Sequence, residues 1–456
     1  MVRPATACDH LINVNTAVPG IAWPAIPSSA ASAMLAMQFQ LSQSQWLKPD
    51  DLRRNQLRQL HALLTHAQAT VPFYQGRLEA AGFDAKRELT PQLFQNLPLL
   101  SRREVQDKGP DLYSRSVPPT HGRTTEGTTS GSVGNPLRFK STDLAYFFWH
   151  AFNLRDHLWH DNDFARKMVA IRVGESMNLP NWFHGIEPVP FSTGPLVVVS
   201  SSAGTEEQIG RLLEHEPAYL LGHATQVTLI AAECLRRNIR FPWLREARVF
   251  AEMLTPDARA LIKRAWGSRV VDIYSTRECG YLAVQCPLHE HFHVQEGAIL
   301  EVLDAEGIAC KPGEVGRVVV TPLHNFAMPF IRYDLGDFAE VGEPCDCGRG
   351  LPVLKAIAGR VRNMLVLPSG RKIWPFLGFY RDTLPVRQRQ VIQHSVEHVE
   401  LKLVVDRRLT PAEEDEARSH FCETVGHPFR VTVSYLDQIP RSAGGKFEEF
   451  ISLVSS

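Results

Sequence analysis

Short apolar runs alternate with capped helical segments along the middle of the chain, and this alternation constrains the fold most strongly. The strand-like runs are residues 167–173, 195–200, 248–251 and 269–273. Between them, Thr205 opens a capping-box pattern, and Thr255 precedes a helix that Gly267 ends. Strands that alternate with helices in this way predict an α/β protein whose sheets are mainly parallel.

The length of the chain predicts more than one domain. With 456 residues, the chain exceeds the usual size of a single hydrophobic core. Residues 1–44 are rich in Ala, Pro and Ser and predict an extended N-terminal arm. After Gly359 the pattern changes to a strand, a helix that begins after Thr410, and a further strand. We therefore expect a core domain over residues 45–362 and a small α+β domain over residues 363–456.

Charge and composition exclude several functional classes. Lys+Arg and Asp+Glu both number 49, so the formal charge is zero, which argues against nucleic acid or anionic lipid as a partner. The sequence has no run of 18 apolar residues, so we expect no membrane span. Its first twenty residues lack the pattern of a signal peptide, and a cytoplasmic protein is the default expectation.

The most informative segment is Thr-Thr-Ser-Gly-Ser-Val-Gly-Asn-Pro at residues 128–136. Glycines allow the backbone to approach a ligand closely, and successive N–H groups and hydroxyls suit a triphosphate. The Lys-Ser/Thr of the common nucleotide-binding loop is missing. Taken alone, the segment could equally be a flexible surface turn.

Four further polar segments follow in order along the chain. Residues 272–280 come directly after a strand, where Tyr274 could stack on a base and Glu278 could hold a divalent cation. In residues 329–337, Asp337 could accept hydrogen bonds from two ribose hydroxyls. The last two segments are residues 359–363 at the expected domain boundary and residues 440–446, which carry Lys446 after two glycines. Each segment in isolation is also compatible with an ordinary solvated loop.

Together and in this order, the five segments resemble the adenylate-forming superfamily of acyl-CoA synthetases, in particular its phenylacetate–CoA ligase-like branch. The resemblance extends from about residue 45 to the C-terminus. It implies a large α/β domain followed by a small mobile lid domain. The implied catalytic residues are Lys446 and Glu278, with Glu278 also holding Mg²⁺. The implied ATP- and AMP-binding residues are Thr129, Ser130, Gly131, Ser132, Gly134, Ala251, Glu252, Tyr274, Ser275, Thr276, Asp337 and Arg360.

The resemblance also implies the reaction. A carboxylic acid would be activated by ATP to an acyl adenylate, and the thiol of coenzyme A would then displace AMP. The small domain would rotate between the two steps about Asn363. The sequence departs from the family pattern at Asn135, where a Lys is usual, and at Val133, Ser275, Asn363 and the segment Ala251-Glu252.

Cysteine and histidine residues supply a candidate metal site. Cys345-x-Cys347-Gly and the segment that follows Cys286 contain three thiols and several imidazoles, a set that suits a closed tetrahedral zinc site. The resembling branch often has a structural zinc between these segments, which favours His293 as the fourth ligand. His289, at Cys-x2-His spacing, is the alternative.

The acyl group and the acceptor are less determined by the sequence. His223 lies in a stretch that lines the carboxylate pocket in the resembling family, and Phe148 lies in an aromatic-rich segment after the phosphate loop. These two candidates for the acyl pocket favour a small aromatic acid, but aromatic residues there are also compatible with core packing. A carrier-protein thiol or an amine is an alternative acceptor. A non-catalytic nucleotide-binding homologue is the alternative of another class. Both a monomer and a homodimer are compatible with the sequence.

Overall fold

A computed structural model describes residues 14–129, 136–184, 189–360, 364–370, 372–373, 384–440, 447 and 449–454. Its helices are α1 Ser29–Ser44, α2 Pro49–Thr70, α3 Gln75–Ala80, α4 Pro91–Asn96, α5 Arg102–Lys108, α6 Asp143–Trp159, α7 Thr205–His215, α8 Ala224–Arg236, α9 Pro256–Trp266 and α10 Pro411–Val425. None of these helices is both long enough and apolar enough to cross a membrane.

The strands form one large sheet, one small sheet and two hairpins. They are β1 Thr124–Thr128, β2 Arg138–Thr142, β3 Met168–Arg172, β4 Met177–Leu179, β5 Leu196–Ser200, β6 Tyr219–His223, β7 Glu246–Phe250, β8 Arg269–Thr276, β9 Gly280–Gln285, β10 Phe292–Val294, β11 Ala298–Leu303, β12 Val315–Pro322, β13 Tyr333–Val341, β14 Val353–Arg360, β15 Leu365–Val366, β16 Lys372–Ile373, β17 Val386–Ser395, β18 His398–Val405, β19 Arg430–Tyr435 and β20 Phe450–Ser452.

The large sheet has twelve strands in the order β11-β12-β13-β14-β10-β9-β8-β7-β6-β3-β5-β4. Strands β5, β3, β6, β7 and β8 run parallel to one another, whereas the remaining neighbours pair antiparallel. The predicted α/β class is confirmed, and its parallel strands are concentrated in one half of a mixed sheet. Because parallel strands share a direction, their carboxyl ends meet at one edge, where ligands bind in open α/β sheets.

Local capping explains several helix boundaries. The Thr255 hydroxyl accepts a hydrogen bond from Ala258 N–H at the start of α9, and Gly267 ends this helix with φ of +67°. Thr410 starts α10 with a complete capping box. The capping role expected for Thr205 is wrong, because Gly204 is the N-cap of α7 and no side chain caps this helix.

The N-terminal arm differs from the extended segment that we expected. Residues Ser29–Ser44 form helix α1, which buries Met34 and Leu41 in the same core cluster as α6. Gln38 Nε2 donates a hydrogen bond to the carbonyl of Ala151 on α6, at 2.8 Å. The composition misled the prediction because alanine and methionine favour a helix once a neighbouring helix covers one side.

The small domain is built on the four-stranded sheet β19-β18-β17-β20. Helix α10 packs on this sheet, and Ala417 and Phe421 from the helix join Leu401 and Leu403 from β18 in a separate core cluster. Strand β14 ends at Arg360 and β17 begins at Val386, so the proposed boundary near residue 362 falls between two clusters of packed side chains.

A buried group of charges connects α6 to the parallel half of the large sheet. Arg248 on β7 forms ion pairs with Asp156 on α6 and with Glu246, and the three side chains are at most 2% exposed. The Tyr281 hydroxyl donates a hydrogen bond to Asp156 at 2.5 Å. Both acids would lose their main counter-charge if the arginine were removed.

We predict that Arg248→Met lowers the free energy of unfolding of the large domain by about 3–5 kcal/mol, because the buried Asp156 carboxylate loses its arginine and Glu246 keeps only the more distant Arg269. Chemical denaturation of purified protein measures this change. Arg236→Met is the matched control, since the Arg236 side chain is 62% exposed in its ion pair with Glu233; it should change stability by about 0.5 kcal/mol or less. Equal effects of the two substitutions would contradict the prediction.

Candidate active site and metal centre

The β1–β2 hairpin holds the two ends of the predicted phosphate loop. Thr129 N–H donates to the Leu137 carbonyl at 2.9 Å, and the Thr129 hydroxyl accepts from Leu137 N–H at 3.1 Å. Arg277, in the turn between β8 and β9, donates a hydrogen bond to the Thr128 carbonyl at 2.9 Å. This bond connects the segment of residues 272–280 to the start of the segment of residues 128–136. The predicted residues Ser130, Gly131, Ser132 and Gly134 lie outside the described residues.

Tyr274 lies near the carboxyl end of β8 and contacts the segment of residues 329–337. Its hydroxyl donates a hydrogen bond to Asp337 Oδ2 at 3.0 Å, and Arg360 Nε lies 3.4 Å from Asp337 Oδ1. Asp337 and Arg360 are also paired residues on β13 and β14. Burial, followed by the Asp337 carboxylate, raises the pKa of the Tyr274 phenol, so it remains a donor at neutral pH. The structure thus brings three predicted nucleotide-binding residues together.

Glu278 is a buried carboxylate in the turn that follows β8. It is 8% exposed, and it forms no hydrogen bond or ion pair with any other residue in the described part of the chain. A largely buried carboxylate with no ion pair to a described residue suits a cation that is supplied by a ligand. Nearby, Ser275 lies at an irregularity in the β8–β9 pairing, and the Thr276 hydroxyl accepts from Cys279 N–H at 3.0 Å.

The segment Ala251-Glu252 follows β7 at the same edge. Ala251 adopts a left-handed φ of +65°, which turns the chain sharply after the strand. Glu252 Oε2 accepts from the N–H and hydroxyl of Thr225 at 2.9 and 2.7 Å, and Oε1 accepts from Phe447 N–H at 2.5 Å. The Glu252 carboxylate therefore joins the loop after β7 to the start of α8 and to the small domain. Lys446 itself lies outside the described residues.

A cavity of about 510 Å³ lies between the two domains at this edge. Its lining includes Thr205 and Thr225 at the starts of α7 and α8, and Arg387 and Phe447 from the small domain. The two predicted acyl-pocket residues contact different aromatic partners. The Phe148 ring stacks on His324 with centroids 3.6 Å apart, and the buried His223 ring contacts Phe250 at 4.9 Å. Neither residue lines this cavity.

The four predicted metal ligands converge in space. The donor atoms of Cys286, His293, Cys345 and Cys347 all lie within 4.8 Å of one another. Cys286 Sγ lies 3.9 Å from Cys345 Sγ, and Cys347 Sγ lies 3.4 Å from His293 Nε2. Thiolates bound to a tetrahedral ion at about 2.3 Å are about 3.8 Å apart, so these spacings fit a metal centre.

The histidines near this cluster have different surroundings. Burial lowers the pKa of His293 to about 3, which keeps its imidazole neutral and able to act as a ligand. His289 instead bonds to Asp346 Oδ1 at 2.5 Å, in a more exposed group with Cys345. The geometry therefore favours His293 over His289 as the fourth member of the cluster.

Sequence reasoning missed Arg102, the first residue of α5. Its Nη2 lies 3.4 Å from Thr129 Oγ1, at the start of the phosphate loop. No spacing pattern marks this residue, because it is brought to the site by packing of the N-terminal helices on β13. Phe447 was missed for the same reason, although it directly follows Lys446 in the sequence.

Comparison with known proteins agrees with these motifs and with the fold. The family model of the CapK C-terminal domain matches residues 380–452. The phenylacetate-coenzyme A ligase of Thermus thermophilus is 25% identical over 451 residues, which cover 89% of this chain and 98% of that protein. The enzyme of the same name from Escherichia coli K12 is 24% identical over 72% of this chain and 75% of its own length.

A solved structure of 2-hydroxyisobutyryl-CoA ligase, in the postadenylation state with 2-HIB-AMP, superposes with a TM-score of 0.72. The match covers 90% of this chain and 91% of that one at 19% identity. This chain has the fold of the adenylate-forming acyl-CoA ligases. Its resemblance to the phenylacetate-CoA ligase-like branch, predicted from the five motifs, is confirmed by the sequence similarity over nearly the whole chain.

Proposed function

We propose that this protein activates a small aromatic carboxylic acid with ATP and transfers the acyl group to coenzyme A, releasing AMP and pyrophosphate. The observation that carries the proposal is the meeting of Tyr274, Asp337 and Arg360 at the loop edge of the sheet, with the buried Glu278 in the turn that follows β8. The similarity to phenylacetate-CoA ligases supports the substrate class and the acceptor.

The chemistry of the first step defines the task of each residue. A carboxylate is a poor electrophile because its leaving group would be oxide, so its oxygen attacks the α-phosphorus of ATP and pyrophosphate leaves. Negative charge grows on the α-phosphoryl oxygens, where Lys446 would bind it. Asp337 would accept hydrogen bonds from the ribose hydroxyls, which fixes the direction of approach. Mg²⁺ held at Glu278 would neutralise charge on the phosphates.

The second step needs a thiol instead of the phosphates. Coenzyme A thiolate attacks the acyl carbon of the adenylate, and AMP leaves. The small domain reaches the large domain through Phe447 and Glu252, so a rotation that moves Lys446 away has to break that hydrogen bond. A carrier-protein thiol or an amine is the second candidate for the acceptor, and a protein that binds the nucleotide without catalysis is the alternative of another class.

We propose that the cysteine–histidine cluster binds one structural zinc ion. Three thiols and one imidazole at tetrahedral spacings form a closed set that leaves no position for substrate. The site connects the segment after β9, strand β10 and the segment before β14. Joining positions so distant in sequence costs only a few kcal/mol of loop entropy, which zinc–thiolate binding readily exceeds.

A pyrophosphate-release screen over aryl and short aliphatic carboxylic acids, with and without coenzyme A, tests the proposed reaction. We expect release with one class of aryl acid, and turnover that increases when coenzyme A is present because it removes the adenylate. Turnover that is unchanged by coenzyme A but increased by an amine or a carrier protein would support the second candidate. ATP binding without release for any acid would support the non-catalytic alternative.

We predict that Lys446→Ala slows adenylate formation by about two orders of magnitude or more, because one preorganised charge contact worth about 3 kcal/mol is lost. Single-turnover measurement of each half-reaction checks this. Thioester formation from supplied acyl adenylate should persist, since that step develops no charge on a triphosphate. Lys402→Ala, on β18 of the same domain, is the control and should leave both steps intact. Equal loss of both steps in Lys446→Ala would remove the lysine from this role.

We predict about one zinc ion per chain by elemental analysis of purified protein. His293→Ala should remove most of the zinc and lower the unfolding temperature, because a tetrahedral site loses a ligand and the loop constraint. His289→Ala is the matched control and should keep the metal. Zinc lost in His289→Ala but kept in His293→Ala would reverse the ligand assignment, and a metal-free wild-type protein of full stability would refute the site.

A further inference from the structure

Backbone hydrogen bonds fix the position of Arg102 next to the segment of residues 329–337. It is the first residue of α5, directly after Ser101, which caps that helix with a complete capping box. The preceding residue, Leu100, donates to the carbonyl of Arg332 and accepts from Asp334 N–H, both at 2.9 Å. The start of α5 is thus fixed against the beginning of β13, and the Arg102 side chain extends from a rigid position.

The Arg102 guanidinium lies among groups of the proposed active site. Its Nη2 is 3.4 Å from Thr129 Oγ1, at the first residue of the phosphate loop. It also lies near the Tyr333 hydroxyl, without forming a well-aligned hydrogen bond to it. The same phenol is within electrostatic reach of Glu278. The Arg102 guanidinium therefore lies close to the start of the phosphate loop and to the Tyr333 hydroxyl, and the Glu278 carboxylate acts on the same hydroxyl.

Tyr333 indicates what kind of ligand would fit this place. Its side chain is fully buried, yet its hydroxyl has no hydrogen-bond partner among the residues that the structure describes. Burial raises the pKa of this phenol, so the hydroxyl is a donor at neutral pH. A buried donor without an acceptor is costly, and an anionic oxygen of a ligand would satisfy it.

The charge on Arg102 is also unbalanced within the described part of the chain. Nearby arginines have acidic partners, as Arg77 has Glu104 and Arg103 has Asp107. Arg102 is half-buried and pairs with no carboxylate among the described residues. A partly desolvated guanidinium without a carboxylate is well suited to phosphate, which it can bind with two parallel N–H groups.

We propose that Arg102 binds the β- and γ-phosphates of ATP at the start of the phosphate loop, near Thr129. It would supply there the cation that Asn135 cannot supply within the loop. The proposal rests on the proposed function, because it assumes ATP as the substrate. Arg102 takes part in no bond exchange, and it orients the triphosphate for attack at the α-phosphorus. As the carboxylate oxygen bonds to this phosphorus, the bond to the α,β-bridging oxygen breaks and the β- and γ-phosphates leave as pyrophosphate. Its contribution therefore applies to ATP and pyrophosphate, and not to AMP.

The test compares Arg102→Gln with Arg103→Gln. Arg103 is the adjacent residue, and its side chain is 91% exposed. We expect Arg102→Gln to weaken ATP binding about 10- to 100-fold, the loss of a hydrogen-bonded charge contact, with AMP binding unchanged. The inhibition constant of pyrophosphate should rise in parallel. Thioester formation from supplied acyl adenylate should stay at the wild-type rate, Arg102→Lys should restore part of the ATP affinity, and Arg103→Gln should match the wild type throughout.

Two results would overturn the proposal. Unchanged ATP affinity in Arg102→Gln would show that the phosphates do not contact this residue. A parallel loss of ATP binding, AMP binding and thioester formation would assign Arg102 a purely structural role. Both results leave the proposed function standing, provided that the wild-type protein releases pyrophosphate. A wild-type protein that binds no ATP would instead refute the proposed function and this proposal together.

Discussion

The common direction of five parallel strands determines where the other parts of this site can lie. Their carboxyl ends meet at one edge, and β8, the last of them, positions Tyr274 there. The hydrogen bond from Tyr274 to Asp337 then links this edge to the antiparallel half of the same sheet. Glu252, after β7, extends the connection to the small domain through Phe447. Two hydrogen bonds thus join the parallel half of the large sheet, its antiparallel half and the small domain, so side chains from distant segments lie close together.

Features that depend on neighbouring residues could be predicted from the sequence. The caps at Thr255 and Thr410 need only a hydroxyl and an N–H three residues away, so the local pattern contains all the information. The alternation of strands and helices predicted the parallel half of the large sheet for a similar reason. The motif resemblance identified the metal cluster, because cysteine spacing restricts which residues can meet around an ion.

Contacts between residues far apart in sequence could not be predicted in this way. The Tyr274 hydroxyl donates a hydrogen bond to Asp337, 63 residues away, which neither segment indicates on its own. Arg102 reaches Thr129 across 27 residues, through the packing of α5 on β13. Helix α1 was mistaken for an extended arm, since its stability comes from α6, more than a hundred residues later. In each case the partner is chosen by tertiary packing, which leaves no periodic trace in either segment.

The position of the metal cluster supports the structural role that we propose for it. Strand β9 separates Glu278, which precedes it, from Cys286, which follows it, and its six residues span about 20 Å. An ion at Cys286 is therefore too distant to touch phosphates at Glu278. His293 lies on β10, which pairs with both β9 and β14, and Cys347 lies shortly before β14. An ion bound there would fix three neighbouring strands in register. Because β14 continues to Arg360 and pairs with β13 at Asp337, that register sets where the nucleotide-binding side chains stand relative to β8.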